Sequence, residues 1–150
     1  FIYCNCNSVP SDVMEDISCA VPAAASDKVK MVDTDNDMVA LISKEIFKFI
    51  EKKFKTKIEA FTVCNYIIYQ ELPEEWSLAE KALLVHESKH VEQALKKNCF
   101  RHSIEYSLAY EYNRIQGLAS FDAYWSLEQE KEARASEQNF LNCSEANGAF

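Results

Sequence analysis

Scarcity of glycine restricts this chain more than any other feature: it has two in 150 residues. Turns that need a positive φ lean on Gly, so the chain cannot close the many hairpins of an all-β protein, and helices must dominate. Nearly half of the residues are apolar and 27% are charged, which supports a packed core rather than a disordered chain. The length suits one compact domain. Asp and Glu number 24 against 16 Lys and Arg, a net charge of -8 with the histidines neutral. That balance argues against a nucleic-acid groove, whose affinity comes from basic side chains that neutralise phosphates. No apolar run is long enough to span a membrane.

Cys4, Cys6, Cys19, Cys64, Cys99 and Cys143 form an even set in a small domain. This favours disulfides and an oxidising compartment, although sequence does not choose among the pairings. Cys4-Asn5-Cys6 has neither zinc-knuckle nor redox Cys-x-x-Cys spacing. Cys99 and Cys143 bracket the C-terminal helices, and a bond between them would close a long loop, worth about 3 to 4 kcal/mol if they meet. The chain begins at Phe1 with neither an initiator Met nor a charged-then-apolar leader. That is expected of a secreted or periplasmic mature chain whose signal peptide has been removed, or of a trimmed one.

Residues 1-30 hold Pro10, Pro22 and the run Ala23-Ala24-Ala25-Ser26 without a sustained period, and read as an irregular Cys-containing arm. The core is expected over 36-143. From Asp35 or Asn36 as N-cap, apolar residues recur at helical spacing to Phe54, with Lys52, Lys53 and Lys55 in the last turn. Lys57 to Gln70 is rich in β-branched and aromatic residues and breakable at Cys64-Asn65, so it reads as one strand or a small hairpin. Ser77 with Glu80 is a capping box that opens a helix running to Asn98. A helix from about Arg101 to Gln116 follows, with Ile104, Leu108 and Ile115 on one side and Gly117 as its stop; the last runs from Ser120 to near Cys143. The fold class is therefore mainly α with a small β element, α+β.

The capped helix contains His86-Glu87-Ser88-Lys89-His90, the H-E-x-x-H arrangement. Residues four apart differ by about 40° around the axis and one turn along it, so both imidazoles project from one face and can share a metal ion. Glu87 is offset by about 100°, which puts its carboxylate beside the metal, where it can take a proton from water. For this composition the pattern has a chance expectation of roughly 0.007 per chain. An amphipathic helix with two partly buried histidines would carry the same flanking Leu84, Val85 and Val91. A catalytic zinc needs a third protein ligand, and the acidic run 128 to 137 on the last helix can supply it if that helix packs back on the first.

His86-Glu87-x-x-His90-Val91-x-Gln93, followed about 40 residues later by Glu130-x-Glu132-Ala133, resembles the small bacterial gluzincin-type zinc metallopeptidase domains. In these, H-E-x-x-H on one helix is completed by the Glu of an E-x-x-A element on a later helix. The resemblance covers roughly Tyr66 to Phe140 and implies a zincin-like minimal helical core. It also implies zinc as cofactor, His86, His90 and Glu130 as ligands, and Glu87 as catalytic base. Glu132 is the alternative third ligand, about 200° away around the helix. Ser88 departs from the usual apolar residue after the motif Glu, and Arg134 from an acidic residue after the Ala.

On this reading the chain is a hydrolase that cleaves peptide bonds in a peptide or protein substrate. Tyr110, Tyr112, Tyr124 and His102 are the candidate oxyanion donors. The strand region could bind extended peptide by edge addition. Two other readings stand beside it: a zinc-binding domain without turnover, and a disulfide-stapled helical interaction or effector protein.

Overall fold

The computed structural model describes residues 6–34 and 38–148. Among them the order is β1 (Asn7–Ser8), α1 (Ser11–Ile17), α2 (Ala23–Ser26), β2 (Lys30–Asp33), α3 (Met38–Phe54), β3 (Ala60–Val63), β4 (Tyr66–Tyr69), α4 (Leu78–Lys97), α5 (Cys99–Ile115), α6 (Ser120–Trp125) and α7 (Glu128–Ala146). The protein is mostly helical with one small sheet, the expected class. The cap expected for α3 at Asp35 or Asn36 lies outside the described residues.

The sheet order is β1-β2-β4-β3. β2 runs parallel to β4, a pairing that requires a crossover; α3 lies in that connection. Of the two forms expected for this segment, one strand or a small hairpin, β3 and β4 form the hairpin, turning at Cys64-Asn65 with Cys64 at φ 58°. Side chains alternate across a strand. Met31, Ile67 and Tyr69 therefore join the core that holds Leu84 and Val85 of α4, while Val32 and Ile68 pack with Phe47 of α3 on the other face. The sheet is thus covered on both sides, and α4 is fixed against one of them.

The N-terminal segment is not an irregular arm. Val9, Val13, Ile17, Val21, Ala25 and Val29, each four residues from the last, are all buried in the main core. The two prolines start helical turns here rather than breaking them: Pro10 precedes α1, and the Pro22 carbonyl accepts from Ala25 and Ser26.

Serine 77 caps α4 as expected: its hydroxyl accepts from the Glu80 N–H, and the Glu80 carboxylate accepts from the Ser77 N–H. Such a cap contributes about 1 kcal/mol. The segment expected as one last helix is two. The chain leaves α6 at Ser126, turns extended at Leu127 and re-enters as α7, which lets the Leu127 side chain bury beside Tyr110 and Ala123.

Two disulfides complete the frame. Cys19 pairs with Cys143, tying the end of α1 to α7, and Cys64 pairs with Cys99, tying the β3–β4 turn to the start of α5. The Cys99–Cys143 bond considered from sequence does not form, because each sulfur is held at a different place. Cys6 is also disulfide-bonded, and Cys4 lies outside the described residues. Bonds of this kind fit an oxidising environment. Among the described residues no helix is long and apolar enough to cross a membrane.

Candidate metal centre

Helix α4 buries Leu84, Val85, Val91 and Ala94 against the sheet and α7, which fixes its rotation. His86 and His90 then stand one turn apart, with ring centroids 5.2 Å from each other. α7 packs along α4, and its fully buried Ala133 lets the backbones approach closely one turn beyond Glu130. Glu130, only 2% exposed, places a carboxylate oxygen 3.3 Å from His86 Nε2 and the other 3.1 Å from His90 Nε2. One ligand atom from each of these three residues lies within 4.8 Å of the other two. The group could hold a metal ion.

The outer nitrogens of both rings are held. His90 Nδ1 lies 3.0 Å from Gln93 Oε1, while Gln93 Nε2 donates to the Gln129 carbonyl and the Glu132 carboxylate. Both of those partners only accept, so the Gln93 amide must present its oxygen to His90, and His90 Nδ1 carries the proton. His86 Nδ1 lies 3.3 Å from a Glu137 carboxylate oxygen, which likewise accepts. Each imidazole therefore turns its Nε2 inward, the arrangement by which outer partners orient metal-ligating histidines.

Burial would pull both imidazoles down, but here the Glu130 carboxylate outweighs it. His86 is raised, and His90 rises to about 9 through its hydrogen bond to Glu130 and the charges of Glu130 and Glu87. Burial would push Glu130 up, yet hydrogen bonds from His86, His90 and Tyr106 hold it far below the usual carboxylate range. The cluster thus stores protons where a cation would fit. Two imidazole nitrogens and a carboxylate are the donor set of a three-ligand site with an open position. Each imidazole meets a different oxygen of the carboxylate, and one donor atom from each residue falls within 4.8 Å of the others, against roughly 3.4 Å between tetrahedral ligands about 2.1 Å from zinc, so a bound ion would draw the three slightly together. The residues fit such an ion.

The catalytic candidate Glu87 is buried beside these ligands on α4, and its Oε2 accepts from Thr62 Oγ1 at 2.6 Å. The same hydroxyl lies 3.2 Å from the Glu87 carbonyl, so β3 and α4 are stitched at this residue. Thr62 could not be found from sequence, because the contact joins positions 25 apart through tertiary packing.

The other expected residues separate. Glu132, the alternative third ligand, accepts from Gln93 and is not one of the three residues that come together. Tyr124 lies near Glu130; burial, then the Glu130 charge, push its hydroxyl far up. Tyr112 is exposed on α5 and points away from the site. Tyr110 is buried under the Lys53 ammonium, 4.4 Å from its ring centroid, and is packed near Phe54. The His102 ring lies tilted against Tyr106, centroids 6.3 Å apart, with its pKa lowered by burial and by His90.

Tyr106, absent from the sequence candidates, donates to Glu130 Oε1 at 2.6 Å. Its signal was the i, i+4, i+8 row His102, Tyr106 and Tyr110, which is the inward face of α5. Glu137 was also missed, although it lies seven residues beyond Glu130 and so on the same helix face.

The chain matches no protein-family model, and neither curated proteins nor solved structures yielded a similar protein.

Proposed function

We propose that this chain is a secreted zinc-dependent metallopeptidase of the gluzincin kind, hydrolysing peptide bonds with His86, His90 and Glu130 as ligands and Glu87 as base. The observation that carries the reading is the convergence of two inward Nε2 atoms and one carboxylate from separate helices, with Glu87 buried beside them. Zinc, when bound, polarises the scissile carbonyl and acidifies water.

The chain's own groups do the rest. Glu87 accepts the proton of the attacking water and returns it to the leaving amine, with Thr62 fixing its orientation. Tyr106 and Tyr124 stay protonated, since burial and the Glu130 charge raise both hydroxyls well above their ordinary value. Tyr106 uses its proton to hold Glu130, and Tyr124 is the oxyanion donor best supported of the four. β3 is the last strand of the sheet, so an extended peptide can add along it and lie next to Glu87.

A second reading, a metal-binding module without turnover, is favoured by the hydroxyl already seated on Glu87. Zinc-loaded protein and Glu87→Gln should be assayed on a peptide library, with chelator as control. The expected result is cleavage by the wild type, a loss of about 100-fold or more in Glu87→Gln, and unchanged zinc content. Full zinc occupancy with no cleavage by either would overturn the peptidase reading in favour of the module.

A further inference from the structure

Helix α5 turns an apolar ridge away from the body of the protein. Phe100, Ile104, Leu108, Tyr112 and Ile115 are between 42% and 79% exposed, whereas Tyr106 and Tyr110 on the opposite side are covered. From Phe100 to Tyr112 the steps are of four residues and advance about 40° each, and Ile115, three residues further on, falls back by about 60°, so the five side chains share one face along the helix. At these exposures the row presents roughly 600 Å² of apolar surface, at the upper end of what a monomer shows. It approaches the ~800 Å² that each partner contributes to an interface of standard size.

What covers this row is constrained by charge and shape. α5 carries two basic residues (Arg101, Arg114) and two acidic ones (Glu105, Glu111), so it is neutral on a chain of net charge -8. Copies of the chain that repel elsewhere can meet here, while an anionic lipid surface is disfavoured by the net charge. A row of i±4n side chains packs into an identical row at a crossing near -50°, the same ridge serving both helices. A two-fold axis through Leu108 sets Ile104 of one copy opposite Tyr112 of the other, a closed pairing in which one patch serves both subunits. The Cys64–Cys99 bond and the Lys97–Glu105 ion pair anchor the N-terminal half of α5, so the row is preformed.

We propose that α5 is the interface of a two-fold symmetric homodimer, an antiparallel helix pair centred on Leu108.

Sedimentation of the intact oxidised protein from about 5 to about 500 µM covers the range in which interfaces of this size associate. The expected result is a concentration-dependent dimer that Leu108→Glu and Ile104→Glu convert to monomer with unchanged circular dichroism. Because the described cysteines are all in disulfides, Leu108→Cys introduces a unique thiol. A short bis-maleimide should join it to its copy and should fail on Ser103→Cys, which lies off the row. A wild type that stays monomeric throughout, or a dimer that survives Leu108→Glu with no Leu108→Cys cross-link, would overturn the proposal. So would a monomer that co-sediments with phosphatidylcholine–phosphatidylserine vesicles through Leu108, which would assign the row to a lipid surface.

Discussion

Replacing Gln93 by Met separates a group that orients a ligand from one that binds metal itself. Gln93 is buried and makes three contacts: its Oε1 lies 3.0 Å from His90 Nδ1, and its Nε2 donates to the Gln129 carbonyl at 3.1 Å and to Glu132 at 2.8 Å. Met keeps the length and the apolar stem but removes the acceptor, leaving the His90 Nδ1 proton buried without a partner. An unsatisfied buried donor costs about 1 to 3 kcal/mol, and loss of such outer-sphere partners weakens metal binding by about 10- to 100-fold. The same change cuts a link between α4 and α7, so the metal-free protein should lose stability by a similar amount. Affinity is read by competition with a chromophoric chelator, and stability by denaturant unfolding. Zinc affinity within about twofold of the wild type would refute the tautomer argument, because a ring free to turn would then bind as well as an oriented one. Gln93→Glu is a useful companion, since it retains an acceptor for His90 while placing a carboxylate against Glu132.

Proton linkage gives opposite pH trends for the metal-free and metal-bound forms. The raised pKa values of His86 and His90 contribute stability that is fully present below about 6.5 and is lost as pH rises through the folded value, about 9 for His90. Metal-free protein should therefore melt at a lower temperature at pH 9.5 than at pH 6.5. The lowered pKa of Glu130 acts in the other direction, its contribution being present above the ordinary carboxylate range and lost in acid. Zinc must displace the imidazole protons, so affinity should rise over that same span and calorimetry should record proton release on binding; melting temperature and affinity rising together would contradict the cluster. Separately, Cys19→Ala with Cys143→Ala opens a crosslink across 124 residues, worth about 5 kcal/mol by chain entropy, against about 4 for Cys64→Ala with Cys99→Ala. Unfolding free energies from denaturant titration that fall by less than about 1 kcal/mol in either pair would show that the crosslink does not hold the fold.

The parts of the structure legible in the sequence are those set by neighbours within a few residues. The Ser77 capping box, the placement of His86 and His90 on one helix face, and the hairpin break at Cys64-Asn65 are local rules, and each appears where expected. Glu130 was reached through the resemblance of Glu130-x-x-Ala133 to the E-x-x-A element of the gluzincin-type domains, not through a local rule. Long-range choices were not legible. Nothing local says that Cys99 faces Cys64 rather than Cys143. The apolar row Ile104, Leu108 and Ile115 of α5 points outward, so the pattern of that helix carried no signal for Tyr106 on its inward side. The four-residue spacing from Val9 to Val29 was obscured by two prolines that begin helical turns. The break at Leu127 depends on a core pocket built by α5 and α6, which are distant from it in neither space nor sequence but carry no turn signal.

Metal analysis of protein purified without chelator, beside His90→Ala and Glu130→Ala prepared identically, tests the metal centre most directly. The expected result is one zinc per wild-type chain and little in either variant, with circular dichroism confirming that both remain folded. Wild-type protein that is folded, exposed to zinc and still free of metal would contradict the centre altogether, and full zinc retention by Glu130→Ala would contradict Glu130 as the third ligand.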